Sequence, residues 1–376
     1  MQPLRKSLPF VFAVAAFLAC VLACRPGFSP DGNRILFPVY DEDSRTTSVC
    51  IYDRKTEKIT ALRTLGWSAE SNVIYCATSW SPSGAQLGLV LAPQKDSTNG
   101  SIEIIDAQSG HPIRSAALTN GSEGLLLYPP VFAKDFLFFG GESPARFNLR
   151  NGKTDYENMG TNHNREFYIL NNQNGVHYYA EWKQDDSNTN KVTANEFGTI
   201  DVDRFTRVPE QVIPTEMVGL PDFSPDGKRV ALWKKPRSAA LEIWSHSKLE
   251  KTIALPNMDS LVMGNIVWSK DQKTIFAPAF REPKESSDIK ALLSVFEIPL
   301  DGSAPRQLEL GAVKIKPDEA MLACQLAMAP DGKALAVGTP FGSLDSASKP
   351  ASLYLIDLTN PKRTVKPILF HGKTVK

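Results

Sequence analysis

The chain has 376 residues, and its 42 lysine and arginine residues against 41 aspartate and glutamate residues leave a net charge of +1. This balance excludes the broad positive surface expected of a nucleic-acid-binding protein. The hydrophobic content of 42% is that of a globular protein, and the 24 glycine and 27 proline residues are spread along the chain, as turns between short strands require.

The N-terminus has the pattern of a secretory signal. Arg5 and Lys6 precede an uncharged apolar stretch, residues 8–23, whose 16 residues fall short of the roughly 20 that span a bilayer. The stretch ends in Val21-Leu22-Ala23-Cys24, which resembles a bacterial lipobox. The resemblance implies cleavage of a signal peptide, residues 1–23, and a lipid on the sulfur of Cys24. An ordinary signal that happens to end in a cysteine is the alternative.

Three further cysteines, Cys50, Cys76 and Cys324, belong to the exported part of the chain. Exported proteins permit disulfides, and Cys50 and Cys76 lie in neighbouring repeats where they could pair. Both are flanked by residues typical of core strands, so buried free thiols are the favoured interpretation. No CxxC or Cys/His spacing predicts a metal site.

A short unit that first appears at Phe28 recurs along the chain. Each copy joins an aromatic residue or methionine to a Ser-Pro-Asp-Gly turn and then to an alternating apolar stretch. Proline presets φ at the first corner, aspartate hydrogen-bonds within the turn, and glycine accepts positive φ where the chain reverses. The unit is therefore a tight hairpin. Its copies are Phe28-Ser-Pro-Asp-Gly-Asn-Arg-Ile-Leu-Phe37, Trp80-Ser-Pro-Ser-Gly84, Phe223-Ser-Pro-Asp-Gly-Lys-Arg-Val-Ala-Leu-Trp233, Met328-Ala-Pro-Asp-Gly-Lys-Ala-Leu-Ala-Val337 and the degenerate Trp268-Ser-Lys-Asp-Gln-Lys-Thr-Ile-Phe276.

Two more strands follow each hairpin. A variable polar stretch leads to a third strand, such as Ile102–Asp106, and a second turn, such as Asp301-Gly302, leads to a fourth, such as Arg306–Leu310. Four antiparallel strands per repeat form one blade of a β-propeller. The predicted fold is therefore all-β: a single propeller, residues 24–376, of four-stranded antiparallel blades.

Two blades have lost the turn motif. One retains Phe132 and the strand at residues 136–139, and the other runs through the turn Asn-Asn-Gln-Asn-Gly175. The count is then seven, with six or eight as alternatives, and the predicted blades are roughly 25–65, 75–119, 126–160, 165–213, 218–256, 263–311 and 324–370. The first and last blades each contain four strands of their own, so we expect the ring to close by face packing.

The motif, with its following strand that ends in aspartate, resembles the WD-like repeat of TolB-type propellers and of propellers in prolyl oligopeptidase relatives. Three copies match well, two partly and two poorly, and together they cover nearly all of residues 25–370. The resemblance implies the fold and says little about function. Two departures limit it further. The first repeat starts at Phe28, so we expect no TolB-type α/β domain before it, and the chain ends at 376, so we expect no hydrolase domain after it.

Few residues suggest chemistry. Of the five histidines, His111 and His246 are expected in solvent, His177 in a packed strand, and His163 in a loop between blades. The acidic run 41–43 could bind Ca²⁺, although a solvated loop is favoured. No metal, cofactor or catalytic residue is predicted. The repeated turn residues are assigned a structural role: Pro30, Asp31, Gly32, Pro82, Gly84, Pro225, Asp226, Gly227, Pro330, Asp331 and Gly332.

Loop length is the one hint of function. The connections between second and third strands share a face with the connections between blades, and they are predicted to be long, at 40–47, 92–100, 183–194, 281–291 and 340–351. Propellers usually bind at such a face. Trp67, His163, Leu220 and Met263 are therefore the predicted binding face, with packing over the channel mouth as the alternative.

Two functional hypotheses follow. The first is a non-enzymatic envelope lipoprotein that binds a protein or small ligand and faces the periplasm or the cell surface. The second is a propeller enzyme, a hydrolase or lyase acting on peptide or saccharide, with its site at the channel mouth. Clustered carboxylates of raised pKa would favour the enzyme, whereas a flat apolar or mixed patch would favour the binding platform. A propeller that once regulated a hydrolase is compatible with the same residues.

Overall fold

A computed structural model describes the parts of the chain that carry the fold. The described residues are 25–41, 44–66, 74–93, 100–118, 129–140, 145–156, 167–171, 175–185, 188–214, 217–234, 240–255, 265–281, 290–314, 325–338 and 353–369. Every regular element in these residues is a β-strand. No helix among them is long and apolar enough to cross a membrane.

The strands form seven sheets, each of four antiparallel strands that are consecutive in the chain. This confirms a seven-bladed propeller. Blade 1 consists of β1 (Gly27–Phe28), β2 (Arg34–Asp41), β3 (Thr46–Asp53) and β4 (Lys58–Gly66). Blade 2 has β5 (Ile74–Trp80), β6 (Gln86–Pro93), β7 (Ser101–Asp106) and β8 (Pro112–Ala117). Blade 3 has β9 (Val131–Ala133), β10 (Phe136–Phe139), β11 (Ala145–Asn148) and β12 (Thr154–Tyr156).

Blade 4 consists of β13 (Phe167–Asn171), β14 (His177–Asp185), β15 (Asn188–Asp201) and β16 (Thr206–Ile213). Blade 5 has β17 (Met217–Phe223), β18 (Arg229–Lys234), β19 (Ala240–Ser245) and β20 (Lys248–Ala254). Blade 6 has β21 (Val267–Trp268), β22 (Thr274–Arg281), β23 (Lys290–Pro299) and β24 (Arg306–Lys314). Blade 7 has β25 (Gln325–Met328), β26 (Ala334–Gly338), β27 (Leu353–Asp357) and β28 (Val365–Ile368).

The two blades without the motif, blades 3 and 4, are present as predicted. The expected loop at 183–194 is wrong, because β14 and β15 continue through it and pair as far as Asp185 opposite Asn188. The segment contains the β-branched residues Thr189, Val192 and Thr193, which favour extended backbone. Backbone pairing therefore extends this ribbon even though its composition is polar.

The hydrophobic core lies between the blades rather than in one centre. Leu36 of blade 1 packs with Leu89 of blade 2, and Trp233 of blade 5 packs with Trp268 and Phe296 of blade 6. Each sheet is thus buried on both faces by its neighbours, which explains why the middle strands are apolar throughout.

The ring closes by face packing, as expected. In the described residues, β28 pairs with β27 and β1 pairs with β2, and no strand is shared between blades 1 and 7. Phe37 and Ile35 of blade 1 pack with Leu353 and Ile368 of blade 7. At the surface, Lys366 Nζ lies 2.6 Å from Glu57 Oε1, but such an exposed pair contributes little. Closure therefore rests on the apolar contact.

Cys50 and Cys76 are buried free thiols, the favoured of the two interpretations. Cys50, on β3 of blade 1, packs in the interface with blade 7, whereas Cys76, on β5 of blade 2, packs against the opposite face of blade 1. Burial raises the pKa of both thiols, that of Cys50 to about 12. Neither is a reactive thiolate near neutral pH.

The Ser-Pro-Asp-Gly turn is held by hydrogen bonds within itself. In blade 1 the Gly32 N–H donates to Ser29 O at 2.8 Å, and the Ser29 hydroxyl donates to Asp31 Oδ1 at 2.5 Å. The bonds from Ser29 and Asn33 lower the pKa of Asp31 to about 2. Asp31 therefore remains a carboxylate that accepts bonds inside its own turn.

The turns also pack against one another around the ring. A Cβ on Gly84 would lie 3.4 Å from Cδ of Pro30, and a Cβ on Gly32 would lie 3.6 Å from Cδ of Pro330. The proline of one turn thus contacts the glycine of the next, including across the seam between blades 7 and 1. Both glycines have φ near +70°. Glycine at this position of the motif therefore both adopts the positive φ of the turn and leaves room for the neighbouring proline.

An arginine after the turn links neighbouring blades. The Arg34 guanidinium lies 4.6 Å from the Trp80 ring centroid and donates to Gly84 O at 3.2 Å, while the Trp80 indole N–H donates to Gly27 O at 2.9 Å. The arrangement recurs one half-ring away, where Arg229 lies 4.8 Å from the Trp268 ring. These contacts are a cation–π pair combined with two hydrogen bonds.

We expect Arg34→Ala to lower the free energy of unfolding by about 1–2 kcal/mol, because it removes the stacking on Trp80 and the bond to Gly84. Chemical denaturation is the measurement. Lys58→Ala is the control, since Lys58 is an exposed cation on the outer strand of the same blade and should cost less than about 0.5 kcal/mol. Equal losses of unfolding free energy in the two variants would show that the effect comes from removing a positive charge and not from the contacts of Arg34 with Trp80 and Gly84.

Candidate functional site

The two faces of the ring differ in how the chain connects there. We call the turn face the side that carries the turns between first and second strands, such as 29–33 and 224–228, and those between third and fourth strands, such as 54–57. The loop face is the opposite side, where second strands connect to third strands and one blade connects to the next. The turn at 29–33 has five residues, whereas the loop-face connection 339–352 has fourteen.

The predicted binding face falls largely outside the described residues. Trp67, His163 and Met263 are not among the described residues, and Leu220 belongs to β17 although its side chain is not described. The lipid-bearing residue of the prediction, Cys24, is also outside them. This binding face therefore stays a prediction.

The predicted structural residues lie in the turns of the turn face. The Ser224 hydroxyl donates to Asp226 Oδ1 at 2.6 Å, and Asp331 Oδ1 accepts the Lys333 N–H at 2.9 Å. Asp271, in the degenerate copy, accepts the Ser269 hydroxyl at 2.6 Å. These carboxylates are thus occupied by their own turns.

The central channel contains an acid that sequence reasoning missed. Asp222 lies on β17, the inner strand of blade 5, and its Oδ2 accepts the Trp268 N–H from blade 6 at 3.3 Å. Burial raises the pKa of Asp222 to about 7, although the charge of Arg25 and the N–H groups of Trp268 and Phe223 act in the opposite direction. A half-buried carboxyl of this kind exchanges its proton near neutral pH.

The Arg25 charge lowers the pKa of Asp222 from a distance. Arg25 precedes β1 in blade 1, so the interaction crosses the channel to a blade that is not its neighbour. No ion pair joins the two described side chains within 4.0 Å, and burial lowers the pKa of Arg25 while the Asp222 charge raises it. One signal in the sequence could have pointed to Asp222: it occupies the position before the motif aromatic, where Gly27 and Ser79 stand in other blades.

A buried amide side chain on the inner strand is hydrogen-bonded to the next blade in blade 6 but not in blade 7. In blade 6, Asn265 Nδ2 donates to Leu326 O at 2.8 Å and Asn265 Oδ1 accepts the Leu326 N–H at 2.6 Å. Gln325 occupies the corresponding position of blade 7, and the residue corresponding to Leu326 in blade 1 is Pro26. Proline has no N–H to donate, so the bond that Asn265 Oδ1 accepts from the Leu326 N–H has no counterpart there. Both amide atoms of Gln325 are buried and lack partners among the described residues.

A polar network also lies between blades 3 and 4. The Tyr179 hydroxyl donates to Glu196 Oε1 at 2.8 Å, and Arg207 forms an ion pair with Glu181. Burial and the bond to Glu196 raise the pKa of Tyr179. Since Glu181 and Glu196 face each other across β14 and β15 and are both buried, the network satisfies carboxylates that would otherwise be costly there.

The described histidines are two exposed turn residues and one strand residue packed against an aromatic ring. His111 and His246 are exposed, as expected for solvated turn residues. The His177 ring lies 6.4 Å from that of Phe138, and burial lowers its pKa. In the parts of the chain that the structure describes, no three His, Cys, Asp or Glu residues are grouped so that they could hold a metal ion.

We expect Asp222→Asn to change how stability depends on pH. Folded Asp222 keeps its proton up to about pH 7, whereas the unfolded residue loses it near pH 4. The folded state therefore binds more protons in this range, and stability falls as pH rises from about 4 to about 7. The asparagine variant lacks this fall and should gain about 1–3 kcal/mol relative to the wild type across the range.

Denaturation curves at pH 4 to 8 provide the measurement. Asp31→Asn is the control, because the pKa of Asp31 is lowered to about 2 and its stabilising effect is lost only as pH falls below about 4. Parallel pH profiles for the wild type and Asp222→Asn would contradict the assignment.

No protein-family model matches the sequence, and no curated protein matches it. Many solved structures share the fold, and two of them serve as examples. One, described as a complex of KlAtg21 with the coiled-coil of AgAtg16, has a TM-score of 0.55 at 12% identity, covering 91% of this chain and 97% of that chain. The other, the β-propeller domain of Myceliophteria thermophila Cps50 (Swd1), has a TM-score of 0.54 at 13% identity, covering 84% of this chain and 93% of that chain. At such identities the similarity shows the fold, a WD40-type β-propeller.

Proposed function

We propose that the protein is a non-enzymatic propeller lipoprotein of the cell envelope that acts as a protein-interaction platform. The observation that carries the proposal is the ring itself. Seven blades packed face to face make a rigid scaffold, and the longest connections are grouped at one side of it. Variable loops on a rigid scaffold are the usual basis of binding in such folds.

The comparison with known structures supports the platform in general terms. The neighbour whose description names a coiled coil is a propeller in complex with a protein segment. For this chain, that supports a protein as the first class of ligand to test, with a small molecule as the alternative. TolB-type ancestry is part of the proposal and rests on the repeat motif alone.

The membrane anchor is proposed from the sequence before the first blade. Val21-Leu22-Ala23-Cys24 ends only two residues before β1 begins at Gly27. Lipid on Cys24 would then hold the propeller at a membrane that faces the periplasm or the cell surface. Mass spectrometry of the mature N-terminus should find a lipidated Cys24, and an unmodified terminus at another residue would contradict the anchor.

Crosslinking in intact membranes followed by affinity purification tests the platform. We expect defined protein partners that are captured in equal amount by the wild type and by Asp222→Asn, because the channel acid has no role in a surface interaction. A Cys24→Ser variant, released from the membrane, is the control for proximity. Capture of no protein by the anchored form would contradict the platform.

An enzyme with its site in the channel is the second candidate. The observation that favours it is Asp222, whose pKa of about 7 suits proton transfer at neutral pH. Turnover of peptide or saccharide substrates that Asp222→Asn abolishes, with folding intact, would establish this candidate in place of the platform.

A further inference from the structure

We propose that the central channel binds a small zwitterion, whose carboxylate pairs with Arg25 and whose ammonium group pairs with Asp222. The ligand class is that of a free amino acid or one of its longer homologues. The site lies inside the ring, between the inner strands of the blades. A ligand there leaves the loop face available to protein partners, so the inference goes beyond the proposed platform and does not depend on the anchor.

The carboxylate of Asp222 lies on the channel side of the inner strands. The Ser269 N–H donates to Thr274 O at the start of β22, away from the channel. Successive N–H groups of a strand point in opposite directions, so the N–H of the preceding residue, Trp268, points toward the channel. Asp222 Oδ2 accepts that N–H at 3.3 Å. The carboxylate is therefore at the free, inner edge of β21.

Arg25 supplies a positive charge on the opposite wall. It precedes β1, the inner strand of blade 1, and in a ring of seven blades blade 5 is three steps from blade 1 in one direction and four in the other. In the described part of the chain, the Arg25 guanidinium has no hydrogen-bond or ion-pair partner, and Asp222 acts on it only through space. The two charges thus share the channel without pairing.

Unpaired charges in a partly dehydrated channel are costly. Burial opposes the charged form of both groups, since it lowers the pKa of Arg25 and raises that of Asp222. A zwitterion that bridges them would give each charge a partner of opposite sign. A carboxylate can accept about four hydrogen bonds, so the N–H groups of Trp268 and Phe223 leave Asp222 able to accept an ammonium group.

The channel has room for a ligand at the level of Asp222. The corresponding residues of the other inner strands whose side chains are described are small or medium-sized and uncharged: Gly27, Ser79, Val131, Val267 and Ala327. Asp222 is therefore the one charged side chain at this level among the described ones. Both Asp222 and Arg25 are half-buried, so a small molecule in the channel can contact them.

Binding of ω-amino acids to the full chain in mild detergent tests the site. Glycine, β-alanine, γ-aminobutyrate and ε-aminocaproate carry the same two charges at increasing separation, so the series also measures the distance that the site spans. Propionate and propylamine, which carry one charge each, are the matched controls. Isothermal titration calorimetry at about pH 8 is the measurement, because the pKa of Asp222 is about 7 and the acid is then largely ionised.

We expect at least one member of the series to bind at least about tenfold more tightly than propionate and propylamine, because each single-charge molecule forgoes one charge-assisted hydrogen bond. Arg25→Gln and Asp222→Asn should each weaken that binding at least about tenfold for the same reason. Lys228→Gln is the control variant, since Lys228 is an exposed cation of the turn face, and its affinity should stay within about twofold of the wild type.

Unfolding curves identify any variant that does not fold. If Arg25→Gln fails to fold, Asp222→Asn decides the question alone, because that variant is expected to be more stable than the wild type. Absence of binding by all four zwitterions, equal binding of propionate or propylamine, or unchanged affinity in Asp222→Asn would overturn the site. None of these results bears on the platform, which crosslinking tests separately.

Discussion

Gly110→Ala is expected to destabilise the propeller by about 2–5 kcal/mol. Gly110 ends the turn between β7 and β8, and its φ is +70°, a backbone conformation that costs an alanine about 1–2 kcal/mol. The added Cβ would also lie 2.2 Å from the backbone oxygen of Leu62. Leu62 belongs to β4 of blade 1, so one blade would have to move away from the other.

Gly152→Ala separates the two contributions. Gly152 occupies the corresponding turn of blade 3, with its N–H bonded to Asn148 O as that of Gly110 is bonded to Asp106 O. Its φ is +72°, but the nearest atom to a Cβ is the flexible end of Arg114 at 3.4 Å. We expect a loss of only about 1–2 kcal/mol there. Equal losses in chemical denaturation would show that backbone conformation alone matters and that blade contact at Gly110 does not.

Phe37→Ala should cost about 3–5 kcal/mol and open the ring at the seam between blades 1 and 7. Phe37 is 1% exposed and packs in the cluster that joins the two blades, with Leu353 and Ile368. Removing a buried phenylalanine loses its transfer free energy and leaves a cavity. Among the described residues no strand is shared across this seam, so the apolar contact is the main resistance to opening.

Hydrogen exchange measured by mass spectrometry checks where the ring opens. Phe37→Ala should raise exchange together in β1–β4 and β25–β28 under conditions that leave blades 3 to 6 protected. Leu89→Ala is the matched control, because Leu89 is fully buried between blades 1 and 2, which the chain also connects. We expect a comparable loss of stability without the paired exposure of blade 7. Global exchange in both variants would contradict a weak seam.

The fold was accessible to sequence reasoning because its signals are local. Pro30, Asp31 and Gly32 specify a turn through their own backbone and side-chain preferences, whatever lies elsewhere. Repetition of that turn then predicts the blade, even where Phe132 alone remains of the motif. The segment 183–194 was predicted as a loop from its polarity, because backbone pairing along a ribbon leaves little trace in composition.

The buried polar residues of the inner strands could not be identified from the sequence in the same way. No motif or spacing in the sequence assigns a role to Asp222 or to Arg25. Their interaction joins residues almost 200 positions apart and depends on burial, which the sequence does not contain. The same holds for Gln325, because Pro26 of another blade has no N–H to donate to its side-chain oxygen.

The sequence by itself determined the repeat and the four-stranded blade and favoured seven blades over six or eight, because turn chemistry and strand alternation act over a few residues. The tertiary structure alone decided which glycines press against a neighbouring blade, how the seam closes, and which acid in the channel has a raised pKa. The physical reason is that close contact, desolvation and Coulomb interaction depend on distances in space, and in a ring those distances join residues that are far apart in the chain.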